Sequence, residues 1–371
     1  MAVVYGSQPY SALQIAQETT WGVASTGTYY TVPLVGSGET MRLQRDTITP
    51  PQIYGGTGAR EIFEYGRTFV TGSFQIQARY DAKWFGILLA NAVWGEEFVA
   101  DTFVDGTTIS PADSGNLHIY APESTVPTGL TIKAFRGGTN ASGTVETYTG
   151  CMVQSFTIEQ RDGTALWTFN WLGKTVSVGV ISGAPAAVEG AVFQNFRDLS
   201  RPGAYFKTGN SLTALGIDSF SLTFDNKIVI DEAFITAPDT VNQPGRGETR
   251  AVTLEINSRL EQDYYGNNRP FKEYEQKTSS KMDCLFKSAT AVGDKTYALR
   301  LEMPLIYWDT DQHSLSSPGN PPTRWTATAV LGNFDVTSGL PGTNPGDRVG
   351  DFRILHVCKS TDDGDGALTS L

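Results

Sequence analysis

Polar and apolar positions alternate in short runs along this chain, and the runs come in pairs. Met41 to Thr47 sets Met41 and Leu43 on one face, Arg42 and Gln44 on the other. Thr68 to Arg79 alternates again, with Phe74 and Ile76 opposed to Ser73, Gln75, Gln77 and Arg79. Between them lies a polar loop, 50–66, which opens on Pro50-Pro51 and holds Ile53, Tyr54, Gly55, Gly56, Arg60 and Glu61. Ordinary hairpin loops hold about two to five residues, and an excursion of this length reads as either functional or disordered. The return strand feeds a predicted helix over 81–93, with Asp81 as its N-cap. Trp84, Ile87 and Leu88 fall on one helical face, and Phe85, Leu89 and Ala92 on the opposite one. A helix apolar on both sides needs two covers. Its own sheet is one; a second domain or another subunit is the other.

Further along, strands are predicted at Ala12–Glu18, Leu130–Phe135, Val145–Gln160 and Ala165–Leu172. The last two form a hairpin around Arg161-Asp162-Gly163-Thr164, where Asp-Gly is the turn signal. Phe156 and Ile158 then face Trp167, Phe169 and Trp171, while Thr157, Glu159, Thr168 and Asn170 take the other side. Residues 95–125 read as loop-rich, and 175–203 as a Gly/Ala/Val/Ser junction. The first pattern then recurs. Strand Ser219–Asn226, a polar loop over 236–247 and a return strand Arg250–Leu260 are followed by a predicted helix over 269–279. Ile76 matches Ile256 and Arg79 matches Arg259. Strands at Met282–Ser288 and Tyr297–Tyr307 follow, with Cys284 before GDKTYALRLEM echoing Cys151 before DGTALWTFNW. This predicts a duplicated unit, divided as 1–180 and 181–371. Two more strands, Trp325–Leu331 and Phe352–Cys358, precede a polar end expected to fray.

Composition supports an all-β chain: charged residues are 18% of 371, with 39 Gly and 11% aromatics. The net charge of -11 argues against gripping nucleic acid, which needs Lys and Arg against phosphate. Three widely separated cysteines, Cys151, Cys284 and Cys358, make neither a disulfide framework nor a zinc site. Neither a signal peptide nor a membrane span is read, and synthesis in a reducing cytoplasm is expected. No cofactor, metal or enzymatic constellation is read. His118, His313 and His356 share no spacing, and Asp309, Asp311 and His313 read as a solvated strand end. Asp362, Asp363 and Asp365 resemble a calcium loop that lacks its closing glutamate.

One surface stands out. Alternation places Gln75, Gln77, Thr157, Glu159, Asn170, Asp225, Glu255 and Glu302 away from the aromatic core, beside Arg42, Arg79 and Arg300. A solvated sheet face is ordinary in antiparallel sheets, so this pattern alone assigns no role.

The order of features resembles the tail tube (major tail) proteins of long, flexible-tailed bacteriophages. The resemblance rests on QETTWG before a Thr-rich stretch, on GRTFVTGSFQIQARYDAKWFGILLANAVWG after the long loop, on YTGCMVQSFTIEQRDGTALWTFNWLGK and on SFSLTFDNK…RLEMPLIYW. It covers roughly 10–310 and is closest to members with two fused tube domains. It implies two tandem β-sandwiches, each with a flanking helix, whose inner sheets join into a ring-wide barrel. Trimeric, pseudo-hexameric rings would stack into a tube that conducts double-stranded DNA. The eight polar-face residues would line its lumen. Ile53 to Glu61 would reach the next ring, and Trp84, Phe85, Leu88 and Leu89 would fill a domain seam. The implied partners are further copies, a tape measure protein, and tail initiator and terminator proteins, in a virion tail assembled in the host cytoplasm without any membrane. The alternatives are a carbohydrate-binding β-sandwich, suggested by seven Trp and 15 Tyr, and a β-rich hydrolase.

Overall fold

In the computed structural model the described residues are 12–35, 39–48, 64–99, 102–105, 108–111, 115–136, 143–161, 164–180, 185, 187–200, 205–208, 213–214, 217–230, 241–259, 274, 276–292, 295–312, 322–334 and 349–359. The first half of the chain contributes β1 (Ala12–Gln17), β2 (Tyr30–Val32), β3 (Thr40–Ile48), β4 (Glu64–Gln77) and helix α1 (Lys83–Val93). β5 (Glu97–Val99), β6 (Thr102–Asp105), β7 (Thr108–Pro111), β8 (Gly115–Tyr120), β9 (Leu130–Arg136), β10 (Thr144–Arg161), β11 (Thr164–Gly173) and β12 (Thr175–Val180) follow. The second half adds β13 (Tyr205–Thr208), β14 (Thr213–Ala214), β15 (Ile217–Asp225), β16 (Ile228–Val229), β17 (Gly245–Arg246) and β18 (Ala251–Arg259). The last strands are β19 (Ser280–Val292), β20 (Lys295–Gln312), β21 (Pro322–Ala329), β22 (Gly332–Asn333), β23 (Val349–Gly350) and β24 (Arg353–Lys359).

These strands form antiparallel sheets packed as an all-β sandwich. One sheet runs β2-β1-β9-β10-β12. A second, longer one runs β3-β4-β11-β10-β15-β18-β21-β20. A third runs β5-β8-β24-β20-β19-β13-β14. β10 and β20 have 18 residues each, and each belongs to two sheets. Register breaks at Val153/Ser155 in β10 and at Trp308/Thr310 in β20 bend them.

The long sheet consists of two similar four-strand blocks, β3-β4-β11-β10 and β15-β18-β21-β20, joined where β10 pairs with β15. Ile76 sits opposite Trp167 in the first block, and Ile256 opposite Trp325 in the second. The duplicated isoleucines therefore occupy equivalent, fully buried positions. The cysteine echo is corrected. Topology pairs hairpin β10–β11 with β20–β21, whereas Cys151 lies on β10 and Cys284 on β19.

Between the layers is one continuous core, with Phe74, Phe156, Trp167, Phe169, Phe224, Trp325 and Phe352 at its centre. Phe156 stacks on Phe224 across the block junction at 5.2 Å. The β10–β11 hairpin forms as its alternation predicts, with pairing to Arg161↔Thr164 that leaves only Asp162-Gly163 between the strands.

Residues 95–125, expected to be loop, contain β5 to β8, and the 175–203 junction contains β12. β8 and β24 pair with each other, His118 opposite His356, and this pair forms the outer cover of α1. Phe85 packs edge-on to Trp167 on one side and to His356 on the other. Residues 187–200 form a strap over the start of the helix. Trp84 Nε1 donates to the Glu189 carbonyl at 3.3 Å, and Trp167 Nε1 donates to Gln194 Oε1 at 2.7 Å. Every residue from Trp84 to Val93 is buried, and the cover comes from the same chain rather than another subunit. Asp81 is not the N-cap; that position is Ala82, without a side-chain bond. The Asp81 carboxylate instead accepts from the Ala191 and Val192 amides and ties down the strap. The expected helix over 269–279 falls largely outside the described residues, as do the loop 50–66 and the C-terminal end from 360.

The QETTWG segment is a clasp. Glu18 is buried and its carboxylate accepts from Gly22 N at 2.7 Å, Gly150 N at 2.8 Å and Thr131 Oγ1 at 2.9 Å. Gly22 and Gly150 have φ of 75° and 65°, conformations that suit glycine. Trp21 Nε1 donates to the Gly150 carbonyl, and the Lys174 ammonium lies 5.0 Å above its ring. Burial pushes the Glu18 carboxyl above its usual range against the pull of these bonds.

Candidate functional surface: a polar sheet face with open edges

The aromatic side chains of the eight-strand sheet fill the core, so its other face carries the polar set. Gln75, Gln77, Thr157, Glu159, Asn170, Asp225 and Glu255 are all half-buried there. Strand pairing puts Thr168, Thr157, Thr223, Thr253 and Thr328 side by side on β11, β10, β15, β18 and β21. Gln75 continues this row at one end and Tyr307 at the other. Side-chain bonds link neighbouring strands. Thr157 and Thr223 hydroxyls lie 3.1 Å apart, Asn170 Nδ2 donates to Ser155 at 3.0 Å, and Thr40 meets Ser73 at 3.0 Å.

Each described carboxylate on this face has a partner. Gln75 Nε2 donates to Glu159 at 3.2 Å, and the Lys227 ammonium lies 2.7 Å from Asp225. Arg324 pairs with Glu255 at 2.6 Å, and the Thr328 hydroxyl donates to Asp309 at 2.6 Å. The middle of the face is neutral because its row is made of threonines.

Glu302 is the exception among the predicted face residues. Alternation places it opposite Leu301 and Met303, which lie in the core, but its own side is covered too, leaving it 7% exposed. It joins Asp283, Arg300 and Arg353 in a buried cluster of two carboxylates and two guanidiniums. Arg300 reaches Asp283 at 2.5 Å and Glu302 at 2.8 Å, while Arg353 binds Glu302 at 2.5 Å. Phe334 lies against the Arg353 guanidinium at 4.4 Å. The open placement expected for Glu302 and Arg300 is corrected: this stretch of β20 lies in the third sheet between β19 and β24, whose Asp283 and Arg353 sit directly opposite Glu302, and Phe334 packs against the cluster. Arg79 is also engaged: its guanidinium donates to Gly190 O at 2.5 Å and lies over the Phe193 ring.

Both ends of the eight-strand sheet are edges. Among the described residues, β3 pairs only with β4, and β20 beyond Ile306 pairs only with β21. Large apolar side chains are exposed at or near these edges: Leu43 at 54% on β3, Tyr307 at 43% on β20 and Leu331 at 68% just beyond β21. β12, the edge of the other sheet, exposes Val178 and Val180. Long exposed edges invite pairing with another chain.

The inter-ring candidates Ile53, Tyr54, Gly55, Gly56, Arg60 and Glu61 lie outside the described residues. Of the second loop, Val241 and Pro244 are buried, and Gln243 Nε2 donates to the Pro127 carbonyl, so this part packs on its own chain. Trp84, Trp167 and Trp171 are buried in the core and unavailable for sugar stacking. Among the described residues no three His, Cys, Asp or Glu converge as a metal site, and no helix is long and apolar enough to cross a membrane. Comparison with curated proteins returns no match. The family model described as phage tail tube protein matches residues 11–299, most of the chain and all of the first block. The protein thus belongs to the phage tail tube family, as a self-associating structural component of the virion tail.

Proposed function

We propose that three copies close into a pseudo-hexameric ring and that stacked rings form the hollow tube through which phage DNA is ejected. The observation that carries this reading is the continuous eight-strand sheet, polar on one face and ending in two edges that pair with no further strand among the described residues. In the proposed ring, β3 of one copy adds to the 307–312 stretch of β20 in the next. Such a head-to-tail contact closes when the rotation permits. Three copies supply about 24 strands, which at about 4.8 Å spacing enclose a diameter of roughly 37 Å, more with tilt. Inward side chains reduce this to a bore that passes duplex DNA. The polar residues Gln75, Gln77, Thr157, Glu159, Asn170, Asp225 and Glu255 line it. The two fused units are 1–180 and 181–371, with Trp84, Phe85, Leu88 and Leu89 in the seam between them, and 50–66 reaches the adjacent ring. The further partners are the tape measure protein during assembly and the initiator and terminator proteins at the tube ends. Assembly takes place in the host cytoplasm.

Negative-stain microscopy of the purified protein, with and without a tail initiator, tests this reading. Hollow tubes of uniform width are expected; a chain that stays monomeric at high concentration with the initiator present overturns it. Leu43→Asp and Tyr307→Asp should each abolish rings while leaving the fold intact, because both side chains are exposed. Deleting 53–62 should permit rings but stop their stacking.

A further inference from the structure

The rows of the polar face differ in charge, and the difference is systematic. The middle row is five threonines on five successive strands, ended by an amide and a phenol. The next row to one side, Glu159–Ser221–Glu255, carries two carboxylates, each held by a donor from the protein itself. Asp225, in the next row on the other side, is held by Lys227.

Resting on the tube reading, we infer that this threonine band is the contact line for a hydrated polyanion, touched through hydroxyl-bound water and not through charge. A cationic wall would bind duplex by displacing counterions, with log affinity falling by about 0.9 per log unit of salt for each phosphate neutralised. An acidic wall would exclude it, over about 10 Å at 0.1 M salt and less as salt rises. A neutral hydroxyl band does neither. It also stays wet, since each hydroxyl both donates and accepts, and so offers no dry apolar surface to which stacked bases could adhere. In a barrel the strands tilt, so the band winds along the bore as a stripe. A sliding duplex then meets the same chemistry continuously.

The test uses assembled tubes and a short fluorescent DNA duplex, with partition into the tubes measured between about 0.05 and 0.5 M salt. Wild-type partition should be flat. Thr253→Lys, at the exposed member of the row, should retain duplex at low salt and release it as salt rises. Thr253→Asp should exclude duplex at low salt and admit it as salt rises. Thr223→Lys, deeper in the row, should repeat the first result. A wild-type partition that rises or falls with salt overturns the band. The underlying reading is tested separately with Thr223→Cys in a Cys358→Ser background. Cys151 and Cys284 are buried, with burial pushing both thiols well up, so they stay silent. Within tubes a small maleimide should label position 223 and a bulky polymer-linked one should not. Labelling by the bulky reagent would place this face outside and sink the tube reading itself.

Discussion

Glu159 and Glu302 carry the same side chain and are both set by alternation on the polar side of a strand, yet they belong to different sheets and different surroundings. Glu159, on β10, is half-buried and accepts one amide hydrogen bond from Gln75. Glu302, on β20, is nearly inaccessible and is gripped by Arg300 and Arg353. Alternation assigns a residue to a face, but a second layer decides whether that face meets water. Over the start of β20 that cover is the turn that carries Phe334, with Asp283 and Arg353 closing in from the paired strands β19 and β24. At the end of β10 the Glu159 side chain keeps partial contact with solvent. One carboxylate is part of a surface, and the other is part of the interior.

The largest effect should come from breaking the buried cluster. Glu302→Gln leaves two guanidiniums sharing one carboxylate and should cost about 3–5 kcal/mol, the range for removing one partner of a buried ion pair. Glu159→Gln should change stability by less than about 0.5 kcal/mol. Urea unfolding of the two variants measures the contrast, and equal losses would erase it. Glu302→Lys is accordingly expected to prevent folding rather than to alter the bore.

Next in size is the junction between the blocks. Asn226 is fully buried and its amide donates to the Ala92 carbonyl at 2.6 Å and to the Val153 carbonyl at 3.2 Å. It links the end of α1 to the bulge of β10. Asn226→Leu leaves two buried carbonyls without this donor and should cost about 2–4 kcal/mol, since each orphaned group costs about 1–3 kcal/mol. A thermal melt showing no loss would mean that the β10–β15 pairing alone holds the blocks.

Glu18 sharpens the comparison as a third case, a buried carboxylate satisfied by backbone amides instead of guanidiniums. Its amide analogue would turn an N–H toward Gly22 N or Gly150 N, so Glu18→Gln should destabilise by about 1–3 kcal/mol at neutral pH. Because burial raises its folded pKa, the folded state binds a proton more readily than the unfolded chain. The stabilisation this group contributes is therefore complete below the unfolded value and is lost as pH rises through the folded one. The variant should lack that component of the acid-side profile.

The smallest effect is alkaline. The Tyr148 hydroxyl, buried and bonded to Glu146 at 2.7 Å, is pushed up to about 12. Above pH 10 the unfolded phenol ionises first, so this contribution drains away between pH 10 and about 12. Tyr148→Phe should flatten the alkaline limb slightly, and an unchanged limb would reject the assignment.

Much of the sheet was legible because one of its faces is aromatic and the other polar. Phe156, Ile158, Trp167 and Phe169 could be paired from spacing alone, and Asp162-Gly163 announced their hairpin. The matched Ile76 and Ile256 disclosed the two blocks. The strands that escaped notice had no such contrast. β8 lies between β5 and β24 in its sheet and against the helix, and Leu117, His118, Ile119 and Tyr120 are all buried and show no period of two. β12 is exposed on both faces and reads as small residues in a linker. Asp81 looked like a cap because spacing cannot show that residues 191 and 192 return to claim its carboxylate.

The sequence by itself determined the all-β class, the alternating inner strands, the doubly apolar helix and the likeness to tail tube proteins. Each of these follows from contacts between near neighbours or from a pattern repeated along the chain. Only the tertiary structure decided which strand enters which sheet and that the helix is covered by its own chain. It also decided that the polar face has a neutral middle and that Glu302 is interior. Those outcomes depend on segments distant in sequence, from Glu302 with Arg353, 51 residues on, to β8 with β24 and α1 with the 187–200 strap. The alternation of side chains along a strand holds no information about what packs on top of it.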